Sequence, residues 1–252
     1  MNEKIRLVRT LLEKRKARKK EGRFVIEGPH LVEEAGDLID FVIYAENLPI
    51  VAKLKEKVDC LKVSKEQFAG ISEVETPQWV LAVVREAKHG VKDALKGANP
   101  LVIFCVEVQD PGNLGTIIRT ADAVGATGVI VSKGSVDLYN GKTVRSTMGS
   151  LFHLPVVHVD ETKETIEYLK ERKVWVVATD MSAKKDYFSA EYKKPTVILV
   201  GNEGAGLPKG ILALADDTVQ IPMPGKAESL NVGISTAVVL YEALRQREYK
   251  GK

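Results

Sequence analysis

From residue 101 onward the chain is a succession of short, unbroken apolar runs, LVIFCVEV, GVIVS, LPVVHV, VWVVATD, TVILVG and TVQIP, with stretches of helical spacing among them. A strand that is apolar at every position needs cover on both faces, and helices supply it when the strands run parallel. The expectation is an α/β fold whose C-terminal part is a parallel sheet wrapped by helices. Ligands of such sheets bind beyond the carboxyl ends of the strands. The loops that follow these runs are therefore where chemistry is to be sought.

A smaller unit precedes this sheet. From Phe24 to about Val84, the strand-like runs RFVIEG, FVIYA, CLKVS and WVLAVV alternate with short helical stretches. The following REAKHGVKDALKGANP loses apolar periodicity and ends in Asn-Pro, which disfavours helix, so a boundary is placed near residue 95. Residues 1–95 are expected to form an N-terminal domain and residues 96–252 the larger one. A chain of 252 residues is long enough for two cores.

The formal net charge is +3, yet residues 1–23 hold ten Lys or Arg against three Glu, which leaves the other 229 residues at −4. Ile5, Val8, Leu11 and Leu12 fall on one helical stripe, and the cations, Arg15, Lys16, Arg18 and Lys19 among them, fill the rest. That pattern suits either a solvated helix face or a grip on a polyanion. No apolar run nears the roughly 20 residues of a membrane span and the N-terminus lacks the apolar core of a secretory signal, so a cytoplasmic protein is expected. Cys60 and Cys105 sit in apolar, strand-like runs and read as reduced buried thiols. His153 and His158 are an odd number of residues apart in an extended stretch, which points them to opposite faces, and no metal is expected.

Three stretches carry polar residues that a core does not need. In DPGNLGTIIRTADAVG, Asn113 is placed to cap a helix whose buried face is Leu114, Ile117, Ile118, Ala121 and Val124. Arg119 lies off that face, either available to a ligand or paired with Asp122 three residues on. In LVGNEGAGLP, the glycines at 201, 204 and 206 follow a strand, as they do where something approaches the backbone closely. A Walker loop would continue with lysine and Ser or Thr, and the glycine spacing also misses the dinucleotide fingerprint, which argues against a nucleotide-dependent oxidoreductase. Glu203 would repel a pyrophosphate; it suits a cationic ligand, a hydroxyl or base, or a helix N-terminus. In IPMPGKAESLNVGIS, a proline-restricted segment delivers Ser229 and Asn231 to the last helix, where Ser229 could equally cap it and Asn231 sit in its first turn.

Taken together and in this order, DPGNLGTIIRTADAVG, LVGNEGAGL and IPMPGKAESLNVGISTAVVLYEALRQ resemble the three motifs of the SpoU family of SPOUT-class RNA ribose methyltransferases, over about residues 101–247. RFVIEGPHLVEEA is similar to the small RNA substrate-binding domain that many members place in front. The resemblance implies a C-terminal trefoil knot, S-adenosylmethionine as methyl donor, a ribose 2′-hydroxyl as acceptor, and a homodimer. A sulfonium donor has no phosphates, which answers why an acid stands where a phosphate binder keeps a lysine.

By the same resemblance, Gly201, Ile221 and Leu230 match positions whose backbone holds the cofactor, with Leu199, Thr179 and Met223 lining its pocket. Asn113, Arg119, Glu203, Ser229 and Asn231 match the polar set around the reacting hydroxyl, and Lys142 and Arg145 positions that touch RNA. Family accounts often make the arginine the general base. A guanidinium does not release its proton readily in a folded protein, so a clamp on the phosphate beside the target ribose suits it better. An appended N-terminal domain suits ribosomal members, hence 23S rRNA; the alternatives are a tRNA ribose methyltransferase and a non-catalytic RNA-binding ribosome-assembly factor.

Overall fold

The structure is a computed structural model and describes residues 2–248. The chain begins with α1 (Glu3–Glu13), α2 (Arg15–Glu21), β1 (Arg23–Glu27), α3 (Pro29–Ala35), β2 (Ile39–Tyr44), α4 (Pro49–Leu54), β3 (Asp59–Lys62), α5 (Lys65–Ala69) and β4 (Val80–Arg85). It continues through α6 (Val91–Ala94), β5 (Leu101–Cys105), α7 (Pro111–Ala123), β6 (Gly128–Ser132), α8 (Gly141–Thr147), β7 (Val156–Val159), α9 (Thr162–Glu171) and β8 (Trp175–Thr179). The two-residue β9 (Lys185–Asp186), β10 (Thr196–Val200), α10 (Lys209–Leu212), β11 (Asp217–Gln220) and α11 (Val232–Glu248) follow.

The chain divides into two units, and the division is not sequential. The first takes the residues up to Lys88 together with Asp137–Phe152; the second takes His89–Val136 and the chain from His153 onward. The cut at Lys88 lies close to the boundary expected near residue 95, and the excursion of residues 137–152 into the first unit is an addition to it. Within the first unit, residues 137–152 are held by groups with no periodicity of their own. Arg18 Nη2 meets Asp137 Oδ2 at 2.6 Å, with both side chains largely buried, and Tyr139 stacks on Phe24 with ring centroids 4.5 Å apart. Removing one partner of such a buried pair strands a charge and costs about 3–5 kcal/mol.

Among the described residues of the first unit, four strands form a sheet in the order β1-β4-β2-β3. Asn2 opens α1 by accepting the Lys4 N–H at 2.9 Å, and Ile5, Val8 and Leu11 bury one stripe of that helix against Phe41, Phe68 and Leu81. Most of the cations around that stripe face water; Lys4 is half-buried and paired with Asp59, and one other cation turns inward. Arg18 is buried: besides Asp137, its guanidinium donates to the carbonyls of Leu11 and Leu12. Its expected place among the RNA-binding cations is corrected accordingly, because its donors are spent inside the unit.

In the second unit the described residues form a seven-stranded sheet in the order β7-β6-β5-β10-β8-β11-β9, parallel throughout. Every residue of β5, β6 and β10 is buried, as unbroken apolar runs require of strands covered on both faces. The strand order turns back between β5 and β10, since β6 and β7 step away on one side and the chain returns to lay β10 beside β5. That is the switch point of an open α/β sheet, where the loops after two neighbouring strands diverge. Here those loops are residues 106–110 and 201–206, the first leading into α7.

Candidate active site

Helix α7 begins one turn earlier than its apolar spacing suggested. Pro111 takes its first position and Asp110 is the cap, accepting the Asn113 N–H at 2.8 Å. Asn113 is thus not the cap, and its amide is released for the site. Leu114, Ile117, Ile118 and Ala121 are buried, while Arg119 projects from the opposite side. Arg119 is exposed and, among the described residues, no group pairs with its guanidinium. The surface pairing with Asp122 does not form; Asp122 Oδ2 instead lies 2.8 Å from His153 Nδ1.

The glycine loop closes on itself. Asn202 and Gly206 exchange two backbone hydrogen bonds, of 3.1 and 3.0 Å, and the Asn202 side chain accepts the Gly204 and Ala205 N–H groups at 2.9 and 3.0 Å. Its Nδ2 donates to the Glu107 carbonyl at 3.0 Å, tying the loop to the one after β5. An ideal Cβ on Gly201 would stand 2.3 Å from the Gly206 carbonyl carbon and 2.5 Å from Leu207 N. What comes close to Gly201 is therefore the loop's own backbone. Asn202 was absent from the expected site, although an Asn immediately after a strand and before glycines is a side-chain turn signal.

So shaped, the loop presents Glu203 to the start of α7. Its carboxylate accepts the Gln109 and Asp110 N–H groups at 3.1 and 3.0 Å and Asn113 Nδ2 at 3.0 Å. Asn113 Oδ1 in turn accepts from Asn231 Nδ2 at 2.8 Å, and Asn231 Oδ1 accepts the Gly233 and Ile234 N–H groups at 2.9 and 3.3 Å. Asn231, not Ser229, caps α11, while Ser229 is exposed and has no hydrogen bond among the described residues. One chain of polar groups thus joins three segments that lie about 90 and 118 residues apart. Its direction is fixed at one end, because an ionised carboxylate only accepts and both amides must orient to suit it.

Partial burial raises the Glu203 pKa, but the hydrogen bonds from Asn113 and from the Asp110 and Gln109 backbone outweigh it and hold the carboxyl below the usual range. A depressed carboxylate contributes stability above its unfolded pKa and loses it as pH falls through the folded one. Glu203 therefore stays charged across neutral pH and is no proton acceptor there.

Of the residues expected around the adenosyl group, Gly201, Ile221, Met223 and Leu230 follow the carboxyl ends of β10 and β11, Thr179 is the last residue of β8 and Leu199 lies within β10. Thr179, Ile221 and Met223 are half-buried and Leu230 is exposed. Among the described residues, the backbone of 221–230 makes no hydrogen bond, so its N–H and C=O groups are available to a ligand with polar edges. That donor and acceptor strip, bordered by apolar side chains, fits an adenosyl donor. Leu199 does not fit the lining role: its side chain is fully buried in the sheet core, and its carbonyl accepts the Thr179 hydroxyl at 3.1 Å. Of the expected RNA contacts, Arg15, Lys16 and Lys19 are exposed on α2 and Lys142 on α8, whereas Arg145 is half-buried with Nη1 3.2 Å from Glu73 Oε2. Among the described residues no group of three or more His, Cys, Asp or Glu is placed to hold a metal, and no helix is long and apolar enough to cross a membrane.

Comparison with known proteins agrees with this geometry. Residues 100–241 match the model of the SpoU rRNA Methylase family, and residues 2–82 match an MRM3-like substrate binding domain. The chain is 37% identical over 233 residues to the 23S rRNA (guanosine(2553)-2'-O)-methyltransferase RlmP of Bacillus subtilis (strain 168), covering 91% of this chain and 92% of that protein. The SpoU methyltransferase AviRb of Streptomyces viridochromogenes, solved in complex with AdoMet, superposes with a TM-score of 0.91 at 33% identity over the whole of both chains. The AdoMet-bound rRNA methyltransferase of Sinorhizobium meliloti does so with a TM-score of 0.88 at 36% identity, over 97% of this chain and 95% of that one. The parallel α/β unit is accordingly the SPOUT-type catalytic domain, preceded by a small α/β substrate-binding domain. With three motifs joined through one polar chain, and relatives at this identity along more than nine-tenths of its length, the chain belongs to the SpoU rRNA methylase family.

Proposed function

We propose that this protein is an S-adenosylmethionine-dependent methyltransferase acting on a ribose 2′-hydroxyl of 23S rRNA. The observation that carries the reading is the Glu203–Asn113–Asn231 chain with an unpartnered Arg119 on the same helix as Asn113. Six residues separate Asn113 from Arg119, about 9 Å along the helix axis. Arg119 supplies a planar, permanently charged fork for the phosphate beside the target ribose. Ser229, with its hydroxyl uncommitted, orients the acceptor oxygen; Asn113, Asn231 and Glu203 hold the segments around it in register. The backbone of Gly201, Ile221 and Leu230 would hold the donor, with Thr179 and Met223 at its rim. When bound, the donor supplies a methyl group already activated by positive sulfur. The protein's task is then chiefly alignment, which supplies about 7–11 kcal/mol of a barrier when two reactants are well oriented.

Tritiated methyl transfer to total RNA tests the reading. Label in the ribose of 23S rRNA supports it; label confined to tRNA would favour a tRNA enzyme, and no label on any RNA a binding factor. An rRNA substrate implies a cytoplasmic protein.

RNA is gripped through the first unit. Arg15, Lys16 and Lys19 stand in water on α2. Changing all three to alanine is expected to flatten the dependence of log affinity on log salt by about 2 to 3 and leave cofactor affinity unchanged. An unaltered slope in a filter-binding titration refutes the grip. Deleting the whole segment would be uninformative, since it removes Ile5, Val8 and Leu11 from the core.

The active form is a homodimer built on α11. That helix buries Val232, Thr236, Val239, Leu240 and Ala243, yet leaves Ile234 and Tyr241, two turns apart, 52% and 54% exposed. Two large apolar side chains on one stripe suit a second copy of the same helix. Ile234→Asp is expected to yield monomers in analytical ultracentrifugation; a persisting dimer would exclude this face.

A further inference from the structure

The loop between β5 and α7 contains a residue in an unfavourable conformation. Glu107 has φ +56°, in the left-handed region where a side chain is disfavoured. Two hydrogen bonds hold it there: its N–H donates to Ser132 Oγ at 2.9 Å, and its carbonyl accepts from Asn202 Nδ2 at 3.0 Å. The side chain lies over Gly134, where a Cβ would come within 3.1 Å of Glu107 Cγ. Its carboxylate is exposed and has no ion pair or hydrogen bond among the described residues. In the loop after β6, the Ser135 hydroxyl is buried without a hydrogen-bond partner among the described residues. Neither the strain nor the unpaired hydroxyl serves stability, and costs of this kind gather where a surface is shaped for a ligand.

We propose that Glu107 reads the Watson–Crick edge of the target nucleobase and that this base is guanine; the assignment rests on the reading of the chain as an RNA ribose methyltransferase. A carboxylate beside an RNA site repels phosphate, so its favourable contacts are with N–H donors on an unstacked base. It offers two oxygens that only accept. Guanine is the base with two adjacent donors on that edge, N1–H and the 2-amino group. Uracil has a single N–H between two carbonyls, and adenine and cytosine have an amino group beside an acceptor nitrogen. The position is also suitable: the Asn202 side chain that holds Glu107 shapes the loop carrying Glu203, so both carboxylates ride on one frame.

The test uses the full chain, labelled S-adenosylmethionine and rRNA from cells lacking the gene, with nucleoside analysis of the product. Label is expected in 2′-O-methylguanosine. Glu107→Gln and Glu107→Gly should each lower kcat/KM for RNA about ten- to a hundred-fold with cofactor Kd unchanged. Glu107→Gly relieves the backbone and should raise the melting temperature by about 2 to 4 °C, so that its loss of activity is not a loss of fold. Ribose label in a different nucleoside, or wild-type kinetics of Glu107→Gln, overturns the assignment alone. No ribose label on any RNA with the wild-type protein overturns the methyltransferase reading, and this one with it.

Discussion

Replacing Arg119 with alanine is expected to lower kcat for methyl transfer by about a hundred- to a thousand-fold, the usual effect of deleting one well-placed charge-stabilising donor. The fold should be untouched, because the side chain is exposed and pairs with no described residue. Cofactor affinity should also be unchanged, since the backbone proposed to hold the donor lies on other loops. Paired readouts separate the two roles open to this residue. As a phosphate clamp, Arg119 contributes to RNA affinity, and its loss weakens binding while the pH profile of the remaining chemistry keeps its shape. As a general base, its loss would abolish the pH dependence and spare RNA affinity. Surviving affinity with a flattened profile would defeat the clamp.

Gly201→Ala should be almost as damaging by a different route. Its new methyl would have to displace the Gly206 carbonyl group and Leu207 N, all within 2.5 Å, and backbone held by two hydrogen bonds to Asn202 yields poorly. Overpacking of this kind costs about 1–3 kcal/mol, and more where nothing gives. The loop would open, Glu203 would leave the start of α7, and the backbone contacts proposed for the cofactor at Gly201 would be lost with it. Gly204→Ala is the control, since its nearest neighbour is Asn202 Oδ1 at an ordinary 3.7 Å. Thermal denaturation with and without S-adenosylmethionine decides: Gly201→Ala should melt earlier and lose ligand stabilisation, whereas Gly204→Ala should resemble the wild type. Equal behaviour of the two variants would show that the loop is not closed as described.

The candidate site was legible in the sequence as a set of polar residues, not as the contacts they make. Asn113, Glu203 and Asn231 stand together as expected, but as a frame of mutual hydrogen bonds in which one asparagine caps a helix and the glutamate serves the start of another. Side-chain valence is consumed by neighbours that sequence distance hides. Asp-Pro is itself a helix-start signal, and it is Asp110 rather than Asn113 that caps α7. The two-residue β9 was invisible, being too short to show alternation.

What the sequence determined by itself was the class of fold and the family, because an apolar run buried on both faces and three spaced polar motifs are local patterns. The tertiary structure alone decided that Arg18 turns inward to Asp137, that residues 137–152 pack with the first unit, and that Glu107 is held at a positive φ. Each of these depends on a partner distant along the chain: a charge, a ring and two hydrogen bonds that take effect only once the backbone has brought them together.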